Sequence, residues 1–155
     1  MSFRISGLSP EPFRHLYGLS DVELAEYGVV RRVADSNPGY PDRIEMRDAE
    51  IGETLLLMNH FCQPAQTPYR ASHAIFIREG ADRAYAEIDA VPDVMRRRVL
   101  SLRAYDEAGL MLDADLVDGA NAERLIKRLL AMQDVAYIHA HNAKPGCYSG
   151  RIDRA

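Results

Sequence analysis

The segment from Met111 to Asn142 constrains the fold of this chain more than any other. Within it, Ala122, Leu125, Ile126, Leu129 and Leu130 recur at i, i+3, i+4, i+7 and i+8, the spacing that lines one face of an α-helix. Glu123 and Lys127 stand at i, i+4 on the opposite side, and Asp118 or Asn121 supplies a cap. "MLDADLV" precedes this helix and "VAYIHAHN" follows it, and both read as strands. A strand, a helix and a returning strand in one sheet make a βαβ-type crossover.

The remaining elements follow one another through short turns. "VLSLRAYDEAGLMLDADLVDG" reads as a hairpin with arms Val99 to Tyr105 and Leu110 to Val117 around "DEAG". Upstream, "VVRRVAD", "DRIEMRD", "ETLLLMNH" and "RASHAIFIREG" read as strands, separated by the turn chemistry of "SNPGYP" and "FCQPAQTPY". Ser20 three residues before Glu23 forms a capping-box pattern, and Gly28 marks where that helix stops. The expectation is one α+β domain over residues 1–155. Its sheet is mixed and mostly antiparallel, with helices packed on one face and one βαβ-type crossover near the C-terminus.

Composition narrows the function classes. With 155 residues, the chain can bury a core without disulfide or metal staples. No apolar run approaches the roughly 20 residues of a membrane helix, and "MSFRISGLSPEPF" lacks a signal-peptide pattern. A cytoplasmic protein with no membrane partner is expected. The formal net charge of −4 argues against a nucleic-acid partner, and the short run Arg96-Arg97-Arg98 reads as a solvated helix turn. Two cysteines, Cys62 and Cys147, without C-x-x-C spacing do not form a thiolate zinc motif.

The chemistry concentrates in "AYIHAHNAKPGCYSGRIDR". Strand alternation puts Tyr137, His139 and His141 on one face, with the imidazoles roughly 7 Å apart at ~3.3 Å per residue. Such a pair reaches one anion or one metal ion, but a metal site needs a third ligand. His73, His60, Asp113 and Asp115 are candidates, and spacing forces none of them, so no metal site is assigned. Histidine-triad, cupin, nucleophile-elbow, Walker A, G-x-G-x-x-G and H-E-x-x-H patterns all fail here, and no cofactor is designated.

What remains is a glycine-bearing, basic turn beyond two histidines. Turns of this kind bind anions through backbone N–H groups, and arginine grips a carboxylate or phosphate with paired bonds. The expected pocket comprises Arg70, His73, His139, His141, Asn142 and Arg151, with Lys144 and Tyr148 beside them. It requires the "PYRASH" strand to lie next to the last one. His73, His139 and His141 are the candidate catalytic groups, transferring a proton or donating hydrogen bonds. Cys147 is a further nucleophile candidate, with a histidine as its base.

"PYRASHAIFIREG", "LSLRAYD", "DADLVDG" and "YIHAHNAKPGCYSGRIDRA" together make the chain resemble the bacterial domain-of-unknown-function family 1203. The likeness runs from "FRISGL" to the last residue. It implies a small single-domain bacterial protein and carries no activity, cofactor or catalytic residue.

The function these residues point to is binding, with or without turnover, of a small anionic metabolite at the C-terminal hairpin. A non-enzymatic interaction module, such as a homodimer joined through an exposed strand edge, is the alternative of a different class. A metal-dependent enzyme using the H-x-H pair is the third.

Overall fold

The computed structural model describes residues 1–155. In chain order, β1 spans Phe3–Ser6, α1 Asp21–Glu26, β2 Val30–Val33, β3 Thr54–Gln63 and β4 Ala71–Arg78. They are followed by β5 (Ala86–Ile88), α2 (Asp93–Arg96), β6 (Val99–Tyr105), β7 (Met111–Asp118), α3 (Ala122–Leu130), β8 (Tyr137–Asn142) and β9 (Tyr148–Arg154).

The stripe on α3 is buried as its spacing requires: Ala122, Leu125, Ile126, Leu129 and Leu130 enter one core with Leu100, Leu102, Ile138 and Ile152 of the sheet beneath. That sheet has six strands in the order β5-β1-β9-β8-β6-β7. Both β7 and β8 pair antiparallel with β6, which lies between them, so they run parallel without touching. The α3 connection is thus a crossover that skips one strand. Every pairing between named strands is antiparallel. The α+β reading holds.

The sheet expected to be single is divided in two. β2, β3 and β4 form a separate three-stranded sheet, in that order. It packs Leu56, Met58, Ile75 and Ile77 against Leu16 and Leu24, the latter from α1, in a second core. Ser20 caps α1 by accepting from Glu23 N at 3.2 Å, and Gly28 takes the left-handed backbone that ends it.

"DRIEMRD" is not a strand. Met46 has φ 54°, and this left-handed residue breaks the alternation. Ile44 consequently enters the smaller sheet's core while Met46 enters the larger one. Two isolated bridges, Pro41 to Asp48 and Asp42 to Phe76, tie the segment to itself and to the edge of β4. An alternating apolar pattern here serves two cores instead of one pleated face. The short strands β1 and β5 were not legible as strands.

The free edge of β7 is occupied by its own side chains. Ala114 N and Leu116 N donate to the Asp113 and Asp115 carboxylates, each at 2.8 Å. Arg128 of α3 holds the same carboxylates at 3.1 and 3.5 Å. This aspartate pair blunts an edge that would otherwise template strand addition.

Candidate functional site

Alternation on β8 sends Ile138 and Ala140 into the α3 core and His139 and His141 to the other face, where both are buried. Arg103 of β6 and Arg151 of β9 flank His139 in register. A register shift between Ala140 and His141 then brings Tyr148 opposite His141. His139 is boxed by the rings of Tyr105, Tyr137 and Tyr148, with centroids 5.1, 5.1 and 5.2 Å away. Burial pushes Tyr148 above the usual phenol range.

His73 does reach these histidines, though not from a neighbouring strand. It sits on β4 of the smaller sheet and meets His141 across the seam, ring centroids 5.0 Å apart. Gln63 crosses the same seam, its Nε2 donating to Tyr137 Oη at 2.9 Å. Burial holds His139 down to about 3, with His141, Arg151 and Arg103 adding to the effect. Burial likewise holds His141 down to about 4, against the opposing pull of the Gly146 carbonyl. His73 is lowered by burial and by Arg103. All three imidazoles are therefore neutral at pH 7.

Next to this cluster, a pocket of about 630 Å³ opens between the sheets. His73, Asn142 and Lys144 line it, together with Arg43, Arg97, Arg98 and Cys147. The β8–β9 turn shapes one wall: Gly146 takes a left-handed φ of 78° and donates to Asn142 O, and Asn142 N donates to Cys147 O. Arg43 is 2% exposed, a burial that lowers the guanidinium's proton affinity. It donates to Tyr148 O at 2.8 Å, to Pro41 O at 2.5 Å and to Cys147 Sγ at 3.0 Å, and no carboxylate lies within ion-pair distance. Arg98 is neutralised by buried Asp48 through contacts of 2.7 and 3.1 Å, while Arg97 reaches the same carboxylate only at 3.6 Å. Four cationic side chains line the pocket and no acidic one does.

Five of the expected residues do not line the pocket. Arg70 is exposed, stacked 4.4 Å over Phe61 and donating to Pro64 O. Arg151 is committed to Asp153 by bonds of 2.8 to 3.0 Å and lies 4.1 Å over Tyr137. Boxed by its tyrosines, His139 does not line the pocket, and neither do Tyr148 and His141, the latter meeting the pocket wall only through His73. His60 packs edge-on against Phe13.

Arg43, Arg97, Arg98, Cys62 and Arg103 escaped sequence reasoning as site residues. Arg43 lay in a segment read as a strand, and Arg97 and Arg98 in one read as solvated. A run of three arginines beside a single distant buried aspartate leaves no local signal of which one is neutralised. A wider groove of about 1100 Å³ runs along α3 beside β7, but charges of both signs line it, and several are already paired.

Fold and site together define a class: a two-sheet α+β domain with a basic pocket at the seam whose wall carries one histidine, His73. The chain belongs to the family described as "Protein of unknown function (DUF1203)", whose model matches residues 39–154. That span covers β3 to β9 and every residue lining the pocket. Neither the curated proteins nor the solved structures contain a match to the chain.

Proposed function

We propose that this protein binds a small carboxylate- or phosphate-bearing metabolite in the pocket between its two sheets. The observation that carries the reading is Arg43, a buried guanidinium at the pocket wall with no carboxylate partner. An unpaired buried charge is destabilising by several kcal/mol in order of magnitude, and an anion arriving from solvent relieves it. Arg97 and Lys144 add exposed positive charge at the same opening, which favours anion capture. Asn142 Oδ1, buried and without a hydrogen-bond partner, is an acceptor for a ligand hydroxyl or amide. His73 is the imidazole of the pocket wall and the group placed to donate to, or take a proton from, a bound ligand.

The test is a thermal-shift series with inorganic phosphate and citrate at constant ionic strength. The melting temperature is expected to rise with anion concentration, and the rise to shrink in Lys144→Ala and Arg97→Ala. A melting temperature that responds to these anions no more than to chloride sinks the reading.

A homodimer through the β7 edge finds less support. Leu116 is exposed there, but the outward N–H groups of Ala114 and Leu116 are taken by Asp113 and Asp115.

A further inference from the structure

We infer that Cys62, His73 and His141 form a site for one borderline transition-metal ion of the Zn²⁺ class, held across the seam between the sheets. One ligand atom from each of the three lies within 4.8 Å of the other two, and Cys62 and His73 come from the smaller sheet while His141 comes from the larger. The ion therefore joins two sheets that share no strand pairing.

Each donor is presented for the task. His141 Nδ1 lies 3.0 Å from Gly146 O, a carbonyl that can only accept, so Nδ1 carries the proton and Nε2 keeps its lone pair. A backbone carbonyl fixing the second ring nitrogen is the arrangement that orients metal-bound histidines. His73 Nε2 is fully buried and has no hydrogen-bond partner, a state that is costly unless something coordinates it. Cys62 Sγ has only a long contact to Ala71 O, at 3.5 Å. On binding, the Cys62 thiol releases its proton to solvent and the resulting thiolate forms the sulfur–metal bond, with no change of oxidation state.

One thiolate and two neutral imidazoles suit Zn²⁺ or Co²⁺ rather than Mg²⁺ or Ca²⁺, which prefer oxygen. Three protein ligands leave one position of a tetrahedral ion open. The metal with its thiolate retains a net positive charge near Arg103, which forms no ion pair, so the fourth ligand is an anion. That last step rests on the anion-binding reading, and His73 links the two because it belongs to both the triad and the pocket wall. The metal site itself does not rest on it.

The experiment adds Co²⁺ to reduced, chelator-treated full-length protein with no anion other than chloride. Binding of one ion per chain, with thiolate-to-cobalt absorption in the near ultraviolet, is expected. Cys62→Ser should lose that absorption, Cys147→Ser should keep it, and Zn²⁺ should bleach it. A second measurement needs no variant: Zn²⁺ should protect Cys62 in the wild type from alkylation, read by peptide mapping. Absence of the absorption in the wild type, its survival in Cys62→Ser, or unprotected Cys62 overturns the site. Because no oxyanion is present, failure here is distinct from failure of phosphate or citrate to raise the melting temperature.

Discussion

Arg43 Nη2 donates to Cys147 Sγ over 3.0 Å, although 104 positions separate them in the chain. The contact joins the irregular segment before β3 to the start of the last hairpin strand. It places the most deeply buried cation of the pocket against one of the molecule's two thiols.

Replacing Arg43 with methionine separates binding from stability. Removing the guanidinium leaves Pro41 O and Tyr148 O without their donor, at about 1–3 kcal/mol each. It also relieves a buried charge whose desolvation is several kcal/mol in order of magnitude. The two effects oppose each other, so Arg43→Met is expected to change unfolding free energy by no more than about 1 kcal/mol. The phosphate- or citrate-induced thermal shift should vanish. Urea titration and the thermal-shift series read the two outcomes.

Asp48→Asn should move the same two quantities in opposite directions. The carboxylate is 1% exposed and its partner Arg98 only 20%, so breaking the pair leaves a half-buried arginine uncompensated. The expected loss is about 3–5 kcal/mol. The pocket meanwhile gains one net positive charge, and anion affinity should increase. A variant that is destabilised yet binds phosphate no better would contradict the electrostatic account.

Gly119 has no room for a side chain. A Cβ there would lie 1.8 Å from Met95 O and 2.6 Å from Arg98 O, both backbone atoms that cannot turn away. Gly119→Ala should destabilise by about 2–3 kcal/mol, through displacement of the β7–α3 turn from the end of α2 against which it packs. Denaturant unfolding measures it, with Gly146→Ala as a comparison. There a Cβ meets nothing within 4 Å, although the backbone is left-handed.

Acid should weaken the fold through Glu53. Arg47 grips its carboxylate at 2.7 and 2.9 Å, and Glu50 N adds a third bond at 2.8 Å. The Arg47 guanidinium, foremost, holds Glu53 down to about 2 from an ordinary 4.5. A depressed carboxyl stabilises the native state above its unfolded value and loses that contribution as pH falls through the folded one. The window is thus pH 4.5 to 2. Urea midpoints of wild type should fall across it, and Glu53→Gln should fall less.

Much of the fold was legible because its signals are local. The α3 stripe, the Ser20 cap, the β6–β7 hairpin and the inward face of β8 each follow from residues a few positions apart. "DRIEMRD" misled because alternation looks the same whether apolar residues fill one core or, as Ile44 and Met46 do, two. Of the candidate pocket, His73, Asn142 and Lys144 were foreseen. Arg70 and Arg151 belong to neighbours close in sequence or in register, Phe61 and Asp153, which capture their charge first.

By itself the sequence determined that a helix crosses over a sheet, and that Tyr137, His139 and His141 share one strand face. Only the tertiary structure decided what that face meets. Cys62, His73 and His141 converge from separate sheets, and Arg43 reaches Cys147 from the far half of the chain. The physical reason is the range of the signal. Backbone periodicity is written in consecutive residues, whereas a contact between two sheets depends on how their cores dock.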